Sequence, residues 1–251
     1  MKLKGNTIFI TGGGSGIGRG LAEALHRSGN QVIISGRRQA ALAAVTAANP
    51  GMKALELDIT DPKSIEQAAK KLIAEFPALN VLINNAGIMS PDHVQKTVDD
   101  AQVSSIVTTN LLGPIRMTSA LIEHLKQQPD ASVINVTSGL AFVPLAITAT
   151  YCATKAALHS YTLSLRYLLR DTRVRVLEIA PPYVQTELMG PEQAKDPRAM
   201  PLKDFIEETM RVLGTDADEV LTQPVAFLRN GAGPRDAEFT AQFNDRMAGE
   251  H

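Results

Sequence analysis

The sequence contains very little cysteine and no excess of charge of either sign. Cys152 is the single cysteine among 251 residues, which excludes an intrachain disulfide and a cysteine zinc site. A reducing compartment is the natural expectation for such a chain. Lys and Arg number 25, and Asp and Glu number 26. This near-neutral balance provides neither a basic field for nucleic acid nor a polybasic patch for a membrane surface.

Long apolar runs and metal-ligand spacings are also missing. The sequence has no run of about 18 apolar residues, so no membrane-spanning helix is expected. The first residues place glycines directly after a short apolar run, whereas a signal peptide needs a longer apolar core and a cleavage site. The five histidines show no ligand spacing, and we expect no metal. These features predict a cytoplasmic globular protein.

Short apolar runs alternate along the chain with longer segments of helical composition. The runs, about 5–8 residues each and rich in Val, Ile and Leu, are typical of strands buried on both faces. They are TIFIT (7–11), QVIIS (31–35), MKALEL (52–57), NVLIN (80–84), SVINVT (132–137) and RVRVLEIA (173–180). The alternation predicts one α/β domain over residues 1–251, a doubly wound parallel sheet with helices on both faces. Asp61 followed by Pro62 is typical of a helix start.

The pattern changes after residue 180. Residues 181–201 hold five prolines and one glycine, which predicts a long, mobile loop of the kind that is usually functional. Two short helices are expected after it, over 202–213 and near 216–229. The polar segment 229–251 carries no strand signal.

A glycine-rich turn follows the first predicted strand. Gly12, Gly16 and Gly18 form the spacing G-x-x-x-G-x-G between a strand and a helix. Glycine lets a backbone approach a pyrophosphate closely, and the N-terminus of the next helix offers free N–H groups to phosphates. A tight strand–helix turn without a ligand would use the same residues. The position after the first strand of an alternating chain favours dinucleotide binding.

The end of the second predicted strand indicates which nicotinamide cofactor is preferred. An acidic residue there would bind the ribose hydroxyls, whereas arginine accommodates a 2′-phosphate. Gly36 takes the expected acidic place, and Arg37 and Arg38 follow it. We therefore expect NADP(H) over NAD(H), with NAD(H) possible. The alternative is that both arginines are solvated charges at a helix start.

Six motifs in order resemble the short-chain dehydrogenase/reductase family, in its ordinary branch with a Y-x-x-x-K signature. They are TGGGSGIG (11–18), ELDITD (56–61), NNAG (84–87), TTNLLGP (108–114), INVTSGLA (134–141) and YCATK (151–155). The resemblance covers about residues 5–188 and implies a Rossmann-type fold. It also implies an enzyme that transfers hydride between a nicotinamide cofactor and a CH–OH or C=O group.

The resemblance assigns the chemistry to Asn110, Ser138, Tyr151 and Lys155. Tyr151 would exchange a proton with the substrate oxygen, and Ser138 would hydrogen-bond that oxygen. Lys155 and the nicotinamide ring would lower the pKa of the tyrosine from about 10. Asn110 would hold a water that relays protons to Lys155. By themselves, a tyrosine and a lysine four residues apart are more often a surface pair.

The cofactor residues implied by the resemblance lie along the whole matched region. They are Gly12, Gly14, Ser15, Gly16, Ile17, Gly18, Arg37, Arg38, Asp58, Ile59, Asn85, Ala86, Gly87, Tyr151, Lys155, Pro181, Val184 and Thr186. Asn84 and Asn85 are also expected to tie loops to the sheet. Pro182 departs from the family, which usually has glycine there, and a stiffer approach to the nicotinamide is expected.

An apolar substrate site is expected where 88–93, 139–147 and 183–206 meet. Its expected lining is Met89, Leu140, Phe142, Val143, Tyr183, Leu188 and Met189. Such a lining favours an apolar or aromatic ketone, aldehyde or alcohol, although some of these residues would then simply pack a lid. Residues 187–212 are expected to form that lid. The sequence also resembles bacterial oxidoreductases of D-alanylation operons, a likeness that identifies no substrate.

The sequence leaves alternatives open for the oligomeric state and for the function. The family commonly ends in a strand and a glycine-rich segment at a subunit interface, and residues 229–251 show no such strand. A homotetramer is therefore less expected than a homodimer through 99–128 and 151–170. A family member acting on C=C bonds or as an epimerase is one alternative function. An NADP(H)-binding sensor without turnover is another, although such members usually lose the tyrosine or the lysine, and Tyr151 and Lys155 are both present.

Overall fold

The computed structural model describes residues 1–92 and 94–249, and at its centre lies one sheet of seven parallel strands. The strands are β1 (Thr7–Thr11), β2 (Gln31–Gly36), β3 (Lys53–Glu56), β4 (Leu79–Asn84), β5 (Ala131–Val136), β6 (Val174–Ala180) and β7 (Glu219–Leu221). Their order is β3-β2-β1-β4-β5-β6-β7. The predicted α/β fold with a doubly wound parallel sheet is confirmed.

Helices connect the strands and cover both faces of the sheet. They are α1 (Gly16–Arg27), α2 (Gln39–Ala48), α3 (Pro62–Glu75), α4 (Asp100–Val107), α5 (Gly113–Lys126), α6 (Ala149–Leu168), α7 (Leu202–Leu213), α8 (Gln223–Gly231) and α9 (Asp236–Gly249). Asp61 begins α3 as expected, because its carboxylate accepts from the Lys63 N–H at 2.9 Å. Within the described ranges, no helix has both the length and the apolar character needed to cross a membrane.

The core lies in two layers, one on each face of the sheet. Ile8 and Ile10 of β1 pack into one layer, and Phe9 packs into the other. Successive side chains of a strand point to opposite faces, so a strand covered on both sides needs an unbroken apolar run. β3 departs from this expectation, because it is the edge strand and its Lys53 and Glu56 are exposed.

The strand order places a topological switch point between β1 and β4. The chain runs from β1 outward through β2 and β3, then returns to the other side of β1 with β4. Loops after β1 and β4 therefore diverge, and in open α/β sheets ligands bind in the crevice formed at this point. Because all strands are parallel, every motif that follows a strand reaches the same edge.

The region after residue 180 is more structured than its proline content predicted. A 3₁₀ helix, Pro191–Lys195, interrupts the expected long loop, and Val184 forms a parallel bridge with Met200. A strand that the sequence did not predict, β7, pairs with β6, whereas the described part of 229–251 contains no strand, as expected. With three residues, β7 is too short to show a period. The helix expected near 216–229 begins after it, as α8.

Candidate active site

The glycine turn packs backbone against backbone on the loop that follows β4. Gly12 has a φ of 69°, and a Cβ placed on it would lie 2.9 Å from Cα of Ala86. A Cβ on Gly18 would overlap the Asn85 amide and the Gly12 carbonyl oxygen. Only glycine fits at these two positions, because a side chain would separate the two loops of the switch point.

Asn85 ties the loop after β4 to the sheet, as the sequence predicted, whereas Asn84 joins β4 to β5. Nδ2 of Asn85 donates to the Thr11 carbonyl oxygen at 2.9 Å, and Nδ2 of Asn84 donates to Oδ1 of Asn135 at 2.9 Å. Sequence reasoning missed Thr11. Its Oγ1 accepts from the N–H groups of Asn85 and Ala86, each at 3.0 Å. The feature that could have identified Thr11 is a hydroxyl residue at the last position of β1, directly before the glycines.

The amino end of α1 offers unpaired donors to a ligand. Ser15 precedes α1 without capping it through its side chain, and the first turn of α1 has no acidic residue. Instead, Oγ of Ser15 accepts from Nη2 of Arg38 at 3.2 Å. Uncapped N–H groups, a glycine that permits close approach and an adjacent guanidinium suit the phosphates of a dinucleotide. The residues present therefore fit the cofactor that the sequence predicts.

Arg37 is exposed beside Arg38 in the chain, and its positive charge acts on the carboxylate of Asp58, which follows β3. Oδ1 of Asp58 accepts from the N–H and the hydroxyl of Thr60, at 2.9 Å and 2.7 Å. These bonds hold the pKa of Asp58 below its ordinary value, and the Arg37 charge adds to the effect. The predicted cofactor residues after β1, β2, β3 and β4 thus share the carboxyl edge of the sheet.

Ser138 and Tyr151 meet in a buried position. Ser138 follows β5 at the start of a 3₁₀ turn, and its Oγ accepts from the Leu140 N–H at 3.1 Å. Tyr151 lies in the first turn of α6 and is 6% exposed. Burial raises the pKa of Tyr151 to about 12, against the lowering effect of its hydrogen bond with Ser138. The protein's own side chains therefore leave the pKa of Tyr151 raised, whereas the sequence analysis expected it to be lowered by Lys155 and the nicotinamide ring.

Lys155 lies one turn after Tyr151 on the same face of α6. Its Nζ is 5.6 Å from the centre of the tyrosine ring and donates to the Val136 carbonyl oxygen at 2.8 Å. The lysine is 4% exposed, and burial lowers its pKa to about 8, while the charge of Glu178 acts in the raising direction. A Cβ placed on Gly87 would lie 3.7 Å from this Nζ. The pair is therefore buried beside the loop that follows β4.

Asn110 clamps the backbone that continues from this loop. It lies in a π-helical turn, Thr108–Leu112, between α4 and α5. Its Oδ1 accepts from the Ile88 N–H at 2.9 Å, and its Nδ2 donates to the Ile88 carbonyl oxygen at 2.8 Å and to Oγ1 of Thr154 at 3.3 Å. Both the oxygen and the nitrogen of this amide are thus used in hydrogen bonds within the protein. The water relay expected at Asn110 stays a prediction.

The segment after β6 reaches back to the glycine turn. A Cβ on Gly16 would lie 3.5 Å from Cγ2 of Thr186. Gln193, which sequence reasoning missed, donates from Nε2 to the Val184 carbonyl oxygen at 2.8 Å and to Oγ1 of Thr186 at 3.2 Å. This glutamine holds two predicted cofactor residues next to the glycine turn. Pro181 is buried directly after β6.

The predicted substrate residues are brought only partly together. Tyr183, Leu188 and Met189 are 42%, 41% and 39% exposed, and Met89 and Leu140 are half-buried. The other two are engaged elsewhere in the protein. Val143 is buried, and the ring of Phe142 packs edge-on against His159 and under the guanidinium of Arg229. The Tyr183 hydroxyl donates to Asp196 at 3.1 Å.

Among the residues that the structure describes, one group of potential metal ligands lies outside these motifs. Single ligand atoms of His159, Glu178 and Glu219 fall within 4.8 Å of one another. All three side chains have protein partners, because Glu178 contacts His159 and Thr137, and Glu219 pairs with Arg229. The expectation of no metal stays a prediction.

Comparison with known proteins agrees with this architecture. The family model for short chain dehydrogenases matches residues 6–197. The chain is 39% identical to the uncharacterized oxidoreductase DltE of Bacillus subtilis, over 92% of this chain and 93% of that protein. It is 34% identical to an NADP-dependent 3-hydroxy acid dehydrogenase of Schizosaccharomyces pombe, over 74% of each chain.

A solved structure shows the same likeness in three dimensions. It is a short chain dehydrogenase from Burkholderia cenocepacia in complex with NADP, with 28% identity and a TM-score of 0.84. The superposition covers 96% of this chain and 98% of that one. The chain therefore belongs to the short-chain dehydrogenase family of oxidoreductases.

Proposed function

We propose that the protein is an NADP(H)-dependent oxidoreductase that interconverts an apolar or aromatic carbonyl compound and the corresponding alcohol. The observation that carries this proposal is the buried hydroxyl pair of Ser138 and Tyr151 with Lys155 one helical turn away. NADP(H) supplies hydride in reduction and accepts it in oxidation. An NADP-dependent relative and an NADP-bound neighbour support this choice of cofactor.

Two parts of the carboxyl edge would hold the cofactor. The glycine turn and the uncapped start of α1 would bind its phosphates, and Arg37 and Arg38 would bind a 2′-phosphate through charge-assisted hydrogen bonds. Asp58, Ile59 and residues 85–87 follow β3 and β4 at the same edge and would contact the adenosine and ribose groups. Val184 and Thr186 would approach the nicotinamide end.

Tyr151 is the proposed proton donor in reduction. With a pKa of about 12 the phenol keeps its proton at neutral pH, so the acid form is ready. Transfer of this proton to the substrate oxygen leaves a phenolate, which needs a nearby positive charge. Lys155, with a pKa of about 8, is mainly an ammonium at neutral pH and supplies that charge. In oxidation the same groups act in reverse.

Ser138 and Asn110 have supporting roles in this proposal. Oγ of Ser138 accepts from the Leu140 N–H, which orients the hydroxyl toward Tyr151 and the developing negative charge on the substrate oxygen. Asn110 holds the backbone at Ile88 rigidly beside Gly87 and Lys155. A fixed site costs less reorganisation when the charge develops.

An apolar substrate is supported by side chains at the mouth of the site. Three exposed apolar or aromatic side chains follow β6 at the carboxyl edge, and Leu188 and Met189 among them lie within the proposed lid, 187–212. Exposed apolar groups next to a catalytic site favour a ligand that covers them. Closure of the lid over the substrate would also exclude water.

We further propose a homodimer, formed through α4, α5 and α6, in preference to a homotetramer. The C-terminal half of α6 exposes Leu163, Tyr167 and Leu168, with 41%, 65% and 71% of each residue accessible. An apolar stripe of this kind on an amphipathic helix is typical of a surface that a partner buries.

Substitution of Tyr151 by Phe tests the proposed chemistry. The variant removes only the proton donor, so turnover should fall by about 10²–10⁴-fold while NADPH binding stays near that of the wild type. Turnover is followed by loss of NADPH absorbance over a panel of apolar ketones and aldehydes. Binding is followed by NADPH fluorescence in the same protein.

Tyr161→Phe is the matched control, since it removes the same hydroxyl about three turns further along α6. It should retain turnover. Full activity in Tyr151→Phe would refute the catalytic assignment. A wild type that binds NADPH and reduces no carbonyl in the panel would favour the sensor or another bond type.

A further inference from the structure

A carboxylate is buried beneath the proposed active site, and the mechanism above does not use it. Glu178 of β6 is 0% exposed. Its Oε1 accepts from Oγ1 of Thr137 at 2.5 Å, and its Oε2 lies 2.8 Å from Nδ1 of His159. Burial of a carboxylate is costly unless it is hydrogen-bonded or paired with a charge. The partners at both oxygens offset part of this cost and hold the carboxylate in place.

Both partners of this carboxylate are next to proposed catalytic residues in the chain. Thr137 lies between Val136, whose carbonyl accepts from Lys155, and Ser138. His159 is one helical turn after Lys155 on α6, and Tyr151 is one turn before it. Tyr151, Lys155 and His159 thus follow one face of α6, and Glu178 contacts the last of them. The carboxylate is connected to the site from both α6 and β5.

The Lys155 ammonium needs a negative charge that its direct contact does not provide. Its hydrogen bond goes to a neutral carbonyl, although the lysine is almost completely buried. Burial lowers the pKa of Lys155, and the negative charge of Glu178 opposes this effect. The geometry agrees with this effect, because Thr137 directly follows Val136, the hydrogen-bond partner of Lys155, and His159 lies one turn after Lys155 on α6.

The charges around Glu178 leave it available for this interaction. Lys155 and His159 face it from α6, and Glu219 lies near it on β7. Glu219 is already paired with Arg229 of α8, at 3.3 Å. An ionised Glu178 can only accept from Nδ1 of His159, and both the neutral and the charged imidazole can donate this bond.

We propose that Glu178 is a positioning residue, the buried counter-charge that keeps Lys155 in its ammonium form and that Thr137 and His159 hold in place. The consequence for catalysis rests on the proposed function, since Lys155 must be positive to stabilise the Tyr151 phenolate. The electrostatic coupling itself does not depend on any substrate.

The coupling is measurable by NMR in the full-length protein without cofactor. The chain is labelled with ¹³C at the lysine Cε, and the Lys155 signal is assigned by its absence in Lys155→Arg. In Glu178→Gln the titration midpoint of Lys155 should fall by about one pH unit, because a neutral amide replaces the opposite charge. In the matched control Glu219→Gln, whose carboxylate already has Arg229 as partner, the midpoint should stay close to that of the wild type.

Two further measurements keep the proposal testable. Glu178→Asp retains the charge and should restore the midpoint. If Glu178→Gln does not fold, ¹³Cδ-glutamate labelling of the wild type shows whether Glu178 is ionised where Lys155 titrates, with its signal assigned from the Asp variant. A Glu178 that stays protonated in that range, or equal Lys155 midpoints in the wild type and Glu178→Gln, would overturn the proposal.

Activity separates this proposal from the proposed function. If both hold, the pH profile of kcat/KM moves in Glu178→Gln in the same direction as the NMR midpoint. An NMR shift in a protein without turnover would support the counter-charge and refute the enzymatic role.

Discussion

Substitution of Gly12 by Ala probes the contact that forms the crevice between β1 and β4. Two costs arise at this position. A non-glycine residue at a φ of 69° is strained by about 1–2 kcal/mol. The new Cβ would also lie 2.9 Å from Cα of Ala86 and 3.0 Å from Nδ2 of Asn85, and overpacking of this kind costs about 1–3 kcal/mol. The summed loss of unfolding free energy is about 2–5 kcal/mol.

Gly29→Ala separates the two costs. Gly29 has a φ of 88°, and a Cβ there would meet no atom within 4 Å. Only the strain, about 1–2 kcal/mol, should be lost. The lower entropy of an unfolded chain with alanine stabilises both variants equally and cancels in their difference. Gly12→Ala should thus be less stable than Gly29→Ala by about 1–3 kcal/mol.

Urea unfolding followed by circular dichroism gives the unfolding free energies of the wild type and both variants. The clash predicts a lower midpoint for Gly12→Ala with an unchanged slope. Equal stability of the two variants would refute the reasoning, because it would mean that the loop at residues 84–87 does not press against the glycine turn. NADPH binding should weaken in Gly12→Ala and stay unchanged in Gly29→Ala.

Cofactor choice and assembly lead to two more expected outcomes. Arg37→Ala and Arg38→Ala should each raise the KM for NADPH by about 10-fold or more and leave the KM for NADH unchanged, since each loses a charge-assisted bond worth about 1.5–3 kcal/mol. A clear preference for NADH that Arg37→Ala does not alter would contradict the NADP(H) assignment. Light scattering after size-exclusion chromatography should give a dimer for the wild type and a monomer for Leu168→Glu. The control Ile73→Glu, on α3, should remain a dimer, and a monomeric wild type would contradict the proposed assembly.

The positions of most strands along the chain could be predicted from the sequence. Five of the six predicted strands are covered on both faces, where an unbroken apolar run is required, so the pattern and the structure agree. β3 lies at the sheet edge and β7 has three residues, and neither position imposes a recognisable pattern. The 3₁₀ helix at Pro191–Lys195 contains Gln193, which bonds to Val184 and Thr186. No periodic pattern in the sequence relates these residues, so the sequence did not predict this helix.

The pKa shifts and hydrogen-bonding roles at the site could be predicted less well than the strands. The sequence placed Tyr151 and Lys155 on one helical face, and that spacing is local. The sign of the pKa shift of Tyr151 is set by burial under the fold, which opposes the effect expected from a neighbouring cation. Likewise Asn110 looks like a candidate water ligand in the sequence, while in the structure its amide is taken up by Ile88 and Thr154.

By itself the sequence determined the alternation of strands and helices, the glycine turn and the family, because these depend on local period and on short motifs. Only the tertiary structure decided how distant segments meet. It brings Arg38 to Ser15, Thr186 to Gly16 and Glu178 to His159. Such contacts join side chains that no periodicity relates, since they depend on which strands are neighbours in the sheet and on what the neighbouring helices leave buried.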